Sequence, residues 1–353
     1  MTNKRPPVEI AWFGALCDDD YEQLGVVRPN LRSSWKHCRG IVLAAEHGGF
    51  DNILLPSGYE LGIDTTSFAS SVAPLTSRMN LLVAVRCGET WPPQLARQLA
   101  TLNQTLGGRL TINIISSDMP GETMDGTTRY RRTLEVMTIL RTIMQGRRID
   151  HDGEFYSVHL DPPRICAENP IDPAFYFGGL SNEARDVAAA GADVYLMWPD
   201  TEEVISATMA DVRSRAARHD RSLRFGYRCH VVVRDSEDEA IAAAHHLIAA
   251  VDDAEGARIR ARSLDSHSTG VRRQAELRES ATDDGFVEPH LWTGIGRARS
   301  GCGAAIVGTP RQVADKINRY RDMGIDAFIF SGYPHLDECR RFARDVLPLV
   351  RQD

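Results

Sequence analysis

The chain has 353 residues, with 41 lysines and arginines against 48 aspartates and glutamates, which gives a formal net charge of −7. No stretch approaches the roughly 20 consecutive apolar residues of a membrane-spanning helix, and no basic face that would neutralise nucleic-acid phosphates stands out. With 42% hydrophobic and 25% charged residues, the composition is that of a soluble globular protein. The length fits either two average domains or one α/β barrel.

The seven cysteines are odd in number, scattered and never arranged as C-x-x-C. This pattern predicts neither a disulfide framework nor a zinc site, so reduced thiols are expected. The N-terminus carries basic residues but no apolar region of signal-peptide length. We therefore expect a cytoplasmic protein that binds no metal, nucleic acid or membrane.

Short β-branched and aromatic runs alternate with amphipathic helical patterns along almost the whole chain. Eight runs are predicted as strands, at 8–13, 52–55, 80–85, 110–115, 174–177, 193–197, 224–233 and 326–330. The regions between them carry helix signals, such as the N-cap and first-turn proline of Thr309-Pro310 and the terminating Gly324. Strand and helix repeated eight times is typical of a (β/α)8 TIM barrel, with a doubly wound open sheet as the alternative.

One long stretch before the last strand interrupts this repeat. Between 256 and 300, eight arginines lie among Ser, Asp, Gly and Glu without clear helical periodicity. A stretch of this length is typical of a functional lid or a disordered linker. A solvent-exposed helical insertion is the simpler alternative. Because the loops after barrel strands build the active site, we predict one domain over 1–353 with an arginine-bearing lid at about 252–300.

Three residues near the last two strands are candidates for chemistry. Arg228 and His230 are two apart on the seventh strand and therefore face the same side of the sheet. Facing inward, they would lie beside an anion or a reacting group, because an unpaired buried charge is costly; facing outward, they would pair with carboxylates. Tyr333 follows the eighth strand, where its phenol could donate to a developing charge or cover apolar surface.

Polar and aromatic residues also follow the middle strands. The GGLS turn at 178–181 opens a helix whose N–H groups and serine hydroxyl suit a phosphate, although an ordinary N-cap fits the same pattern. Trp198 can wall a flat pocket or fill the barrel mouth, while Asn113, Ser116 and Ser117 can hydrogen-bond a ligand edge. Since the sequence contains no recognisable Ser-His-Asp or H-E-x-x-H arrangement, these features favour an enzyme that takes its chemistry from a cofactor.

Longer motifs carry a family likeness. The main segments are RFGYRCHVVVR at 224–234, LWTGIGRARSGCGAAIVG at 291–308 and SGYPHLDE at 331–338, joined by LLPSG at 54–58, GGRLTINIISS at 107–117, YFGGLS at 176–181 and VYLMW at 194–198. They resemble the FMNH2-dependent alkanesulfonate monooxygenases of the bacterial luciferase-like superfamily. The resemblance covers nearly the whole chain.

This resemblance implies a two-component system. A separate NAD(P)H-dependent flavin reductase would supply reduced FMN, which binds in the barrel and reacts with O2 to give a peroxyflavin that oxygenates the substrate. In alkanesulfonate oxidation, the carbon next to sulfur is oxidised and the C–S bond breaks, which gives an aldehyde and sulfite. We also expect a homo-oligomer, either a dimer or a tetramer.

The resemblance also implies roles for individual residues. The residues expected to hold FMN are Asn113, Arg129, Tyr130 and Ser181, with Ser181 at the phosphate. The residues expected on the substrate and peroxide side are Trp198, Arg228, His230, Arg299 and Tyr333. The two arginines would bind an anionic head group or the peroxide. The histidine, with an unperturbed pKa of about 6.5, would shuttle protons and the tyrosine would donate one. Closing the lid would bring in Arg299 and exclude water.

Two departures from the family pattern affect the substrate. The family has a histidine after the first strand, where this chain has Cys17 or a neighbour, and a cysteine after the second strand, where this chain has the longer run 58–64. Tyr59 and Leu61 in that run suggest a larger or more apolar substrate. The alternatives are therefore hydroxylation or Baeyer-Villiger oxidation of a biosynthetic intermediate, a deazaflavin-dependent dehydrogenase on the same barrel, or a flavin-binding relative without turnover.

Overall fold

The computed structural model describes residues 7–122, 124–261, 268–299 and 301–351. Parts of the predicted domain at both termini, and residues 262–267 and 300 of the predicted insertion, lie outside these described residues. Thirteen strands are present among them: β1 Glu9–Phe13, β2 Asn52–Leu55, β3 Asn80–Arg86, β4 Leu110–Ile115, β5 Ile149–Asp152, β6 Ser157–Leu160, β7 Phe175–Phe177, β8 Val194–Met197, β9 Arg224–Val233, β10 Phe286–Glu288, β11 Leu291–Trp292, β12 Ala305–Gly308 and β13 Ala327–Ser331.

Eight of these strands close into a parallel barrel in the order β1-β2-β3-β4-β7-β8-β9-β13. The circle is completed by β13, which pairs with β1 along 9–12, and by β9, which pairs with both β8 and β13. Each barrel strand matches one of the eight predicted runs. The structure thus confirms the (β/α)8 TIM barrel and rules out the open sheet.

Helices surround the barrel: α1 Trp35–Gly48, α2 Thr65–Val72, α3 Pro92–Thr105, α4 Gly126–Met144, α5 Arg164–Glu168, α6 Asn182–Gly191, α7 Glu202–Ala217, α8 Glu237–Ile248, α9 Asp253–Ala261, α10 Thr269–Glu279, α11 Pro310–Asp322, α12 His335–Asp345 and α13 Leu347–Arg351. The predicted cap of α11 is present, because Thr309 and Gln312 form a reciprocal capping box. Outward-facing strand residues such as Ile10 and Trp12 are fully buried against this helical layer. No helix in the described part of the chain is long and apolar enough to cross a membrane.

Two groups of short strands were not predicted. The hairpin of β5 and β6 carries charged residues on alternate positions outside the barrel, so its sequence lacks an apolar signal. In the segment between β9 and β13, β12 pairs in parallel with the C-terminal half of β9, and β11 and β10 extend that edge. The described part of the predicted insertion is therefore structured. Its assignment as a lid stays a prediction.

The N-terminal end of the barrel is closed by polar contacts. The Tyr176 hydroxyl donates to both carboxylate oxygens of Glu9, at 2.7 and 2.8 Å. Asn52 donates to the same carboxylate and to the Thr111 hydroxyl. Above them, the barrel interior is filled by apolar side chains that include Leu82. In the described part of the barrel, the space for a ligand therefore lies at the C-terminal end, where barrel enzymes place their active sites.

Candidate active site

A cavity of about 410 Å³ opens at the C-terminal mouth of the barrel. Residues at the ends of β1, β2, β4, β8, β9 and β13 form its floor and walls, and residues of the segment between β9 and β13 border it from above, namely Ile259, Ser268, Thr269, Gly270, Ala298, Arg299, Gly301 and Cys302. This volume lies within the usual range for sites that enclose a small organic molecule. The barrel mouth is therefore the candidate active site.

Nearly all of the residues predicted from the sequence line this one cavity: Asn113, Ser116, Ser117, Arg129, Tyr130, Trp198, Arg228, His230, Arg299 and Tyr333. Ser181 is not among the lining residues. Its hydroxyl caps α6 by accepting a hydrogen bond from the backbone N–H of Ala184 at 3.1 Å. The structure thus shows the N-cap that was the alternative at this position, and a phosphate at Ser181 stays a prediction.

Arg228 is a buried cation whose guanidinium reaches the cavity. Only 5% of the residue is exposed. One of its N–H groups donates to the backbone carbonyl of Cys229 at 2.8 Å, and the guanidinium lies 4.4 Å from the centre of the Phe13 ring. Among the described residues, no carboxylate forms an ion pair with it. Because a buried charge without a counterion is costly, this arrangement is suited to an anionic ligand.

Arg299 has different surroundings in the same cavity. Its guanidinium forms an ion pair with Asp18 and donates to the Tyr333 hydroxyl at 2.8 Å. It also lies over the rings of Tyr21 and Tyr333, at 5.5 and 5.4 Å from their centres. The sequence predicted the same anion-binding role for both arginines. The structure shows that the charge of Arg299 is already balanced by a carboxylate.

His230 is buried beside Tyr333 and is electrically neutral at neutral pH. Its ring stacks on the Tyr333 ring at 5.3 Å, and its Nδ1 lies 2.6 Å from the Ser331 hydroxyl. Burial, together with the nearby charges of Arg228 and other basic groups, holds the pKa of His230 well below its usual value of 6.5. The imidazole is thus neutral and, because the folded state resists its protonation, a weaker base than a free histidine, unlike the shuttle that an unperturbed pKa would provide.

The lowered pKa of His230 predicts a pH-dependent stability. In the unfolded chain the ring takes up a proton below about pH 6.5, whereas the folded state resists it, so the folded state loses stability as the pH falls from 7 to 5. Replacing His230 by glutamine should reduce this loss by up to about 2 kcal/mol, since each pH unit between the two pKa values contributes about 1.36 kcal/mol. Urea unfolding at both pH values measures the difference. The exposed His219, replaced in the same way, serves as the control, and an equal change in both variants would contradict the prediction.

Tyr333 lines the cavity and keeps its phenolic proton at neutral pH. The residue is 8% exposed, and burial raises the pKa of its phenol to about 12 despite the opposing charge of Arg299. Its oxygen accepts the hydrogen bond from Arg299, which leaves the phenolic hydrogen available to a ligand. At neutral pH the side chain is therefore a neutral hydrogen-bond donor.

The opposite wall has the features needed to hold a flat, polar-edged cofactor. The hydroxyls of Ser116 and Ser117 are buried and have no hydrogen-bond partner among the described residues. Asn113 lies on β4, which these serines follow, and apolar side chains such as Leu54 and Leu196 line the space. Unpartnered buried hydroxyls are costly, so a ligand with hydrogen-bonding edges would satisfy them. A flavin ring, apolar on its faces and polar at its edge, fits these residues.

Arg129 and Tyr130 stand at the start of α4 beside this wall. The Arg129 guanidinium forms an ion pair with Asp118 and donates to the backbone carbonyl of Ser116 at 2.9 Å. These contacts fix the loop that carries the unpartnered serines. The Tyr130 ring packs edge-on against Phe177 at 6.3 Å. The structure thus brings both residues to the predicted cofactor side, and their contact with FMN stays a prediction.

The two departures from the family pattern touch each other. A side chain at Gly58 would come within 2.7 Å of the Cys17 carbonyl, and one at Gly62 within 1.7 Å of the Leu16 carbonyl. The run 58–64 is therefore packed against the loop after β1, and both line the cavity. Burial raises the pKa of the Cys17 thiol to about 11, so it is not a thiolate. Tyr59, 73% exposed, stands at the rim.

The helical segment above the cavity is anchored close to Trp198. A Cβ on Gly270, at the start of α10, would come within 2.9 Å of the Trp198 ring. In the next turn, Arg273 forms an ion pair with the buried Asp200, and Gln274 donates to the Pro199 carbonyl at 2.6 Å. These contacts attach α10 to the loop after β8. The tryptophan is consequently covered by this segment.

Asp18 and His335 are among the residues of the cavity that sequence reasoning missed. Asp18 follows β1 in a run of three aspartates, and acids at the C-terminal end of a barrel strand are a usable signal. His335 lies at the start of α12, 2% exposed, with Nδ1 2.7 Å from the carboxylate of the buried Asp20. Its ring stands edge-on to Tyr333 at 4.8 Å. Both residues contact members of the predicted set.

Comparisons with known proteins agree with this geometry. The family described as luciferase-like monooxygenase matches residues 13–327. A sulfoquinovose monooxygenase of Novosphingobium aromaticivorans is 61% identical over 349 residues, covering 97% of this chain and 96% of that protein. One from Agrobacterium fabrum is 52% identical over 346 residues, covering 97% and 90%. The solved EDTA monooxygenase from Chelativorans sp. BNC1 shares the fold, with a TM-score of 0.77 at 15% identity over 98% of this chain and 94% of that one.

These comparisons confirm the superfamily that the sequence motifs indicated. The family match spans most of the chain, and both curated relatives are more than half identical to it over nearly their full length. The relatives are named for sulfoquinovose, and their names do not mention simple alkanesulfonates. With the barrel and the cavity at its mouth, these matches show that the chain belongs to the luciferase-like monooxygenase family and is a flavin-dependent monooxygenase.

Proposed function

We propose that the chain is an FMNH2- and O2-dependent monooxygenase that removes sulfite from sulfoquinovose, a six-carbon sugar whose C6 carries a sulfonate. The observation that carries this proposal is Arg228, a buried guanidinium at the cavity without a carboxylate partner among the described residues. A sulfonate is a permanent anion that charge-assisted hydrogen bonds from such a group would hold. The choice of sulfoquinovose as the substrate comes from the names of the two relatives, which share more than half of the sequence.

The reaction must move protons as well as oxygen. When bound, reduced flavin supplies two electrons and two protons, so that R–CH2–SO3⁻ and O2 give R–CHO, HSO3⁻ and water. The C6–S bond breaks, one oxygen atom is retained on C6, and the other leaves as water. Since C6 also loses a hydrogen as a proton, the cavity needs a base near C6 and an acid near the departing oxygen.

Two stacked side chains that line the cavity would take these two roles. His230 is neutral and would accept the C6 proton, because a sulfonate bound at Arg228 would offset the positive charge that helps to lower the pKa of the imidazole. Tyr333 keeps its phenolic proton, because its pKa is about 12, and can donate it in a hydrogen bond to oxygen. Arg228, two residues from His230 on the same face of β9, would hold the sulfonate next to this pair. The substrate carbon would then lie between the anion site and the two proton-transfer groups.

The remaining residues orient the ligands and exclude water. Asn113, with the hydroxyls of Ser116 and Ser117, would hold the polar edge of FMN, and Arg129 fixes the loop that bears them. Trp198, covered by the start of α10, would form part of the cavity wall beneath that helix. We also propose that a separate NAD(P)H-dependent flavin reductase delivers the reduced FMN. The homo-oligomeric state and the cytoplasmic location stay predictions.

The relatives and the buried charge together favour sulfite release over the other candidate reactions. Both curated relatives are named as monooxygenases, which favours oxygen transfer over the hydride transfer of a deazaflavin-dependent dehydrogenase. A biosynthetic ketone or alkane would leave the charge of Arg228 unbalanced in the cavity. A retained but inactive fold would have no need for an uncharged histidine beside a protonated tyrosine.

The function is tested by supplying reduced FMN from a flavin reductase, O2 and a panel of substrates. We expect sulfoquinovose to give one sulfite and one aldehyde per O2 consumed, detected with a thiol-reactive dye and by mass spectrometry. Cyclic ketones and long-chain alkanes serve as the comparison substrates. Reduced deazaflavin without O2 should yield no product. Oxygenation of a ketone, or no sulfite from any sulfonate, would overturn the proposal.

A further inference from the structure

Two of the arginines that line the cavity, Arg228 and Arg299, differ in how their charges are balanced. Arg228 has no carboxylate partner among the described residues, whereas Arg299 forms an ion pair with Asp18. Both Asp18 and Arg299 line the cavity, and their side chains are only 16% and 19% exposed. On the predicted substrate side of the cavity, Arg228 is therefore a cation without a carboxylate partner among the described residues, and Arg299 with Asp18 is an ion pair with no net charge. A ligand with a single negative charge would balance the cation and leave the pair intact.

Asp18 is held firmly in place. Its Oδ1 accepts a hydrogen bond from the backbone N–H of Asp19 at 2.7 Å and one from the Tyr21 hydroxyl at 3.2 Å, and its Oδ2 accepts from Arg299. A carboxylate offers about four acceptor positions, so a donor from the cavity can still be accepted. Arg299, in turn, is fixed by Tyr333 and by the two aromatic rings beneath it. The pair therefore presents a hydrogen-bond acceptor, the Asp18 carboxylate, next to a donor, the Arg299 guanidinium. Both side chains are fixed in place and largely shielded from water.

We infer that Asp18, paired with Arg299, recognises the sugar hydroxyls of the substrate, while Arg228 alone holds the sulfonate. A sulfonate placed on Arg299 would lie beside the Asp18 carboxylate and be repelled by it. A hydroxyl can donate to the carboxylate and accept from the guanidinium at the same time, so a polyol satisfies both members of the pair. Asp18 is thus a specificity-determining residue. This inference rests on the proposed function.

The pair should discriminate against sulfonates without hydroxyls. An apolar ring bound at the same place would remove water from Asp18 and Arg299 without replacing its hydrogen bonds. Buried polar groups left unpaired in this way reject an analogue that lacks the matching hydroxyl far more strongly than an apolar pocket rejects an extra group. Cyclohexylmethanesulfonate, which has the six-membered ring and the CH2–SO3⁻ group but no hydroxyls, is therefore the informative comparison ligand.

The test compares the affinities of the two ligands by calorimetric titration of the protein saturated with oxidised FMN. The variants are Asp18→Asn, which keeps the shape, and Asp18→Ala, which removes both oxygens. We expect the preference of the wild-type protein for sulfoquinovose over cyclohexylmethanesulfonate to fall at least tenfold in both. Glu60→Gln removes a negative charge from the rim of the same cavity and is the matched control. It should leave the preference within threefold.

The outcomes separate the inference from the proposed function. If wild-type protein releases sulfite from sulfoquinovose but the preference falls less than tenfold in both Asp18 variants, Asp18 does not recognise hydroxyls and the inference is wrong. If Glu60→Gln lowers the preference as much as Asp18→Asn does, the effect is one of net charge and the inference is also wrong. If the wild-type protein releases no sulfite from sulfoquinovose, the proposed function itself fails.

Discussion

Replacing Arg228 by glutamine is expected to lower kcat/KM for sulfite release from sulfoquinovose at least a hundredfold. The guanidinium is 5% exposed and has no carboxylate partner in the described part of the chain, so the bound sulfonate would be its counterion. Removing one partner of a buried, hydrogen-bonded charge pair typically costs 2 to 5 kcal/mol or more, and each 1.4 kcal/mol is a factor of ten. The affinity for FMN should change no more than a few-fold, because the unpartnered serines lie on the opposite wall.

The matched control for this experiment lies on the same strand. Arg224 is four residues earlier on β9, at the N-terminal end of the barrel, where it forms ion pairs with Asp326 and Glu9. Arg224→Gln removes the same charge from the same strand but is far from the cavity in the fold, so it should keep wild-type sulfite release. Loss of FMN binding in the Arg228 variant, or a loss of sulfite release in both variants, would contradict the assignment of Arg228 to the sulfonate.

The fold was predictable because parallel barrel strands are buried on both faces. Such strands are continuous apolar runs, as in NILL of β2 and AFIFS of β13, and they stand out from amphipathic helices. The hairpin of β5 and β6 has no such run. The segment before β13 lacks a clear apolar periodicity, because α9 and α10 are held by polar contacts such as that of Arg273 with Asp200. Local sequence does not reveal a partner 73 positions away.

The candidate site was predictable in part, for a related reason. Positions directly after barrel strands are fixed by the repeat, which is why Trp198 and Tyr333 could be named in advance, and the alternation of side chains along β9 indicated Arg228. What each residue contacts depends on the closed fold. The partner of Arg299 is Asp18, 281 positions away, so a sequence motif could not show that its charge is balanced. The pKa of His230 is likewise set by burial and by charges that converge only in the folded barrel.

Asp20→Asn is expected to destabilise the protein by about 3 kcal/mol at pH 7, the largest stability effect that we predict. Asp20 is fully buried and connects three parts of the chain. It accepts from the backbone N–H of His335 at 2.9 Å, lies 2.7 Å from Nδ1 of the same histidine, and lies 3.0 Å from Nε2 of His37. An asparagine keeps the shape but loses the charge and one acceptor, which leaves a buried imidazole without its carboxylate.

The pH dependence distinguishes this carboxylate from ordinary packing. Burial alone would raise the pKa of Asp20, but the charge and hydrogen bonds of His335 outweigh it and hold the pKa well below the usual 3.8. A carboxyl whose pKa is lower in the folded state contributes stability above its unfolded pKa, and that contribution is lost as the pH falls below about 4. The difference in unfolding free energy between wild type and Asp20→Asn should therefore have its full size at pH 7 and should shrink between pH 4 and pH 2.

The exposed Asp283, changed to asparagine, is the control and should show a difference below about 0.5 kcal/mol throughout this pH range. A difference for Asp20 that stays constant with pH would mean that the lost hydrogen-bond acceptor, and not the lost charge, accounts for the destabilisation.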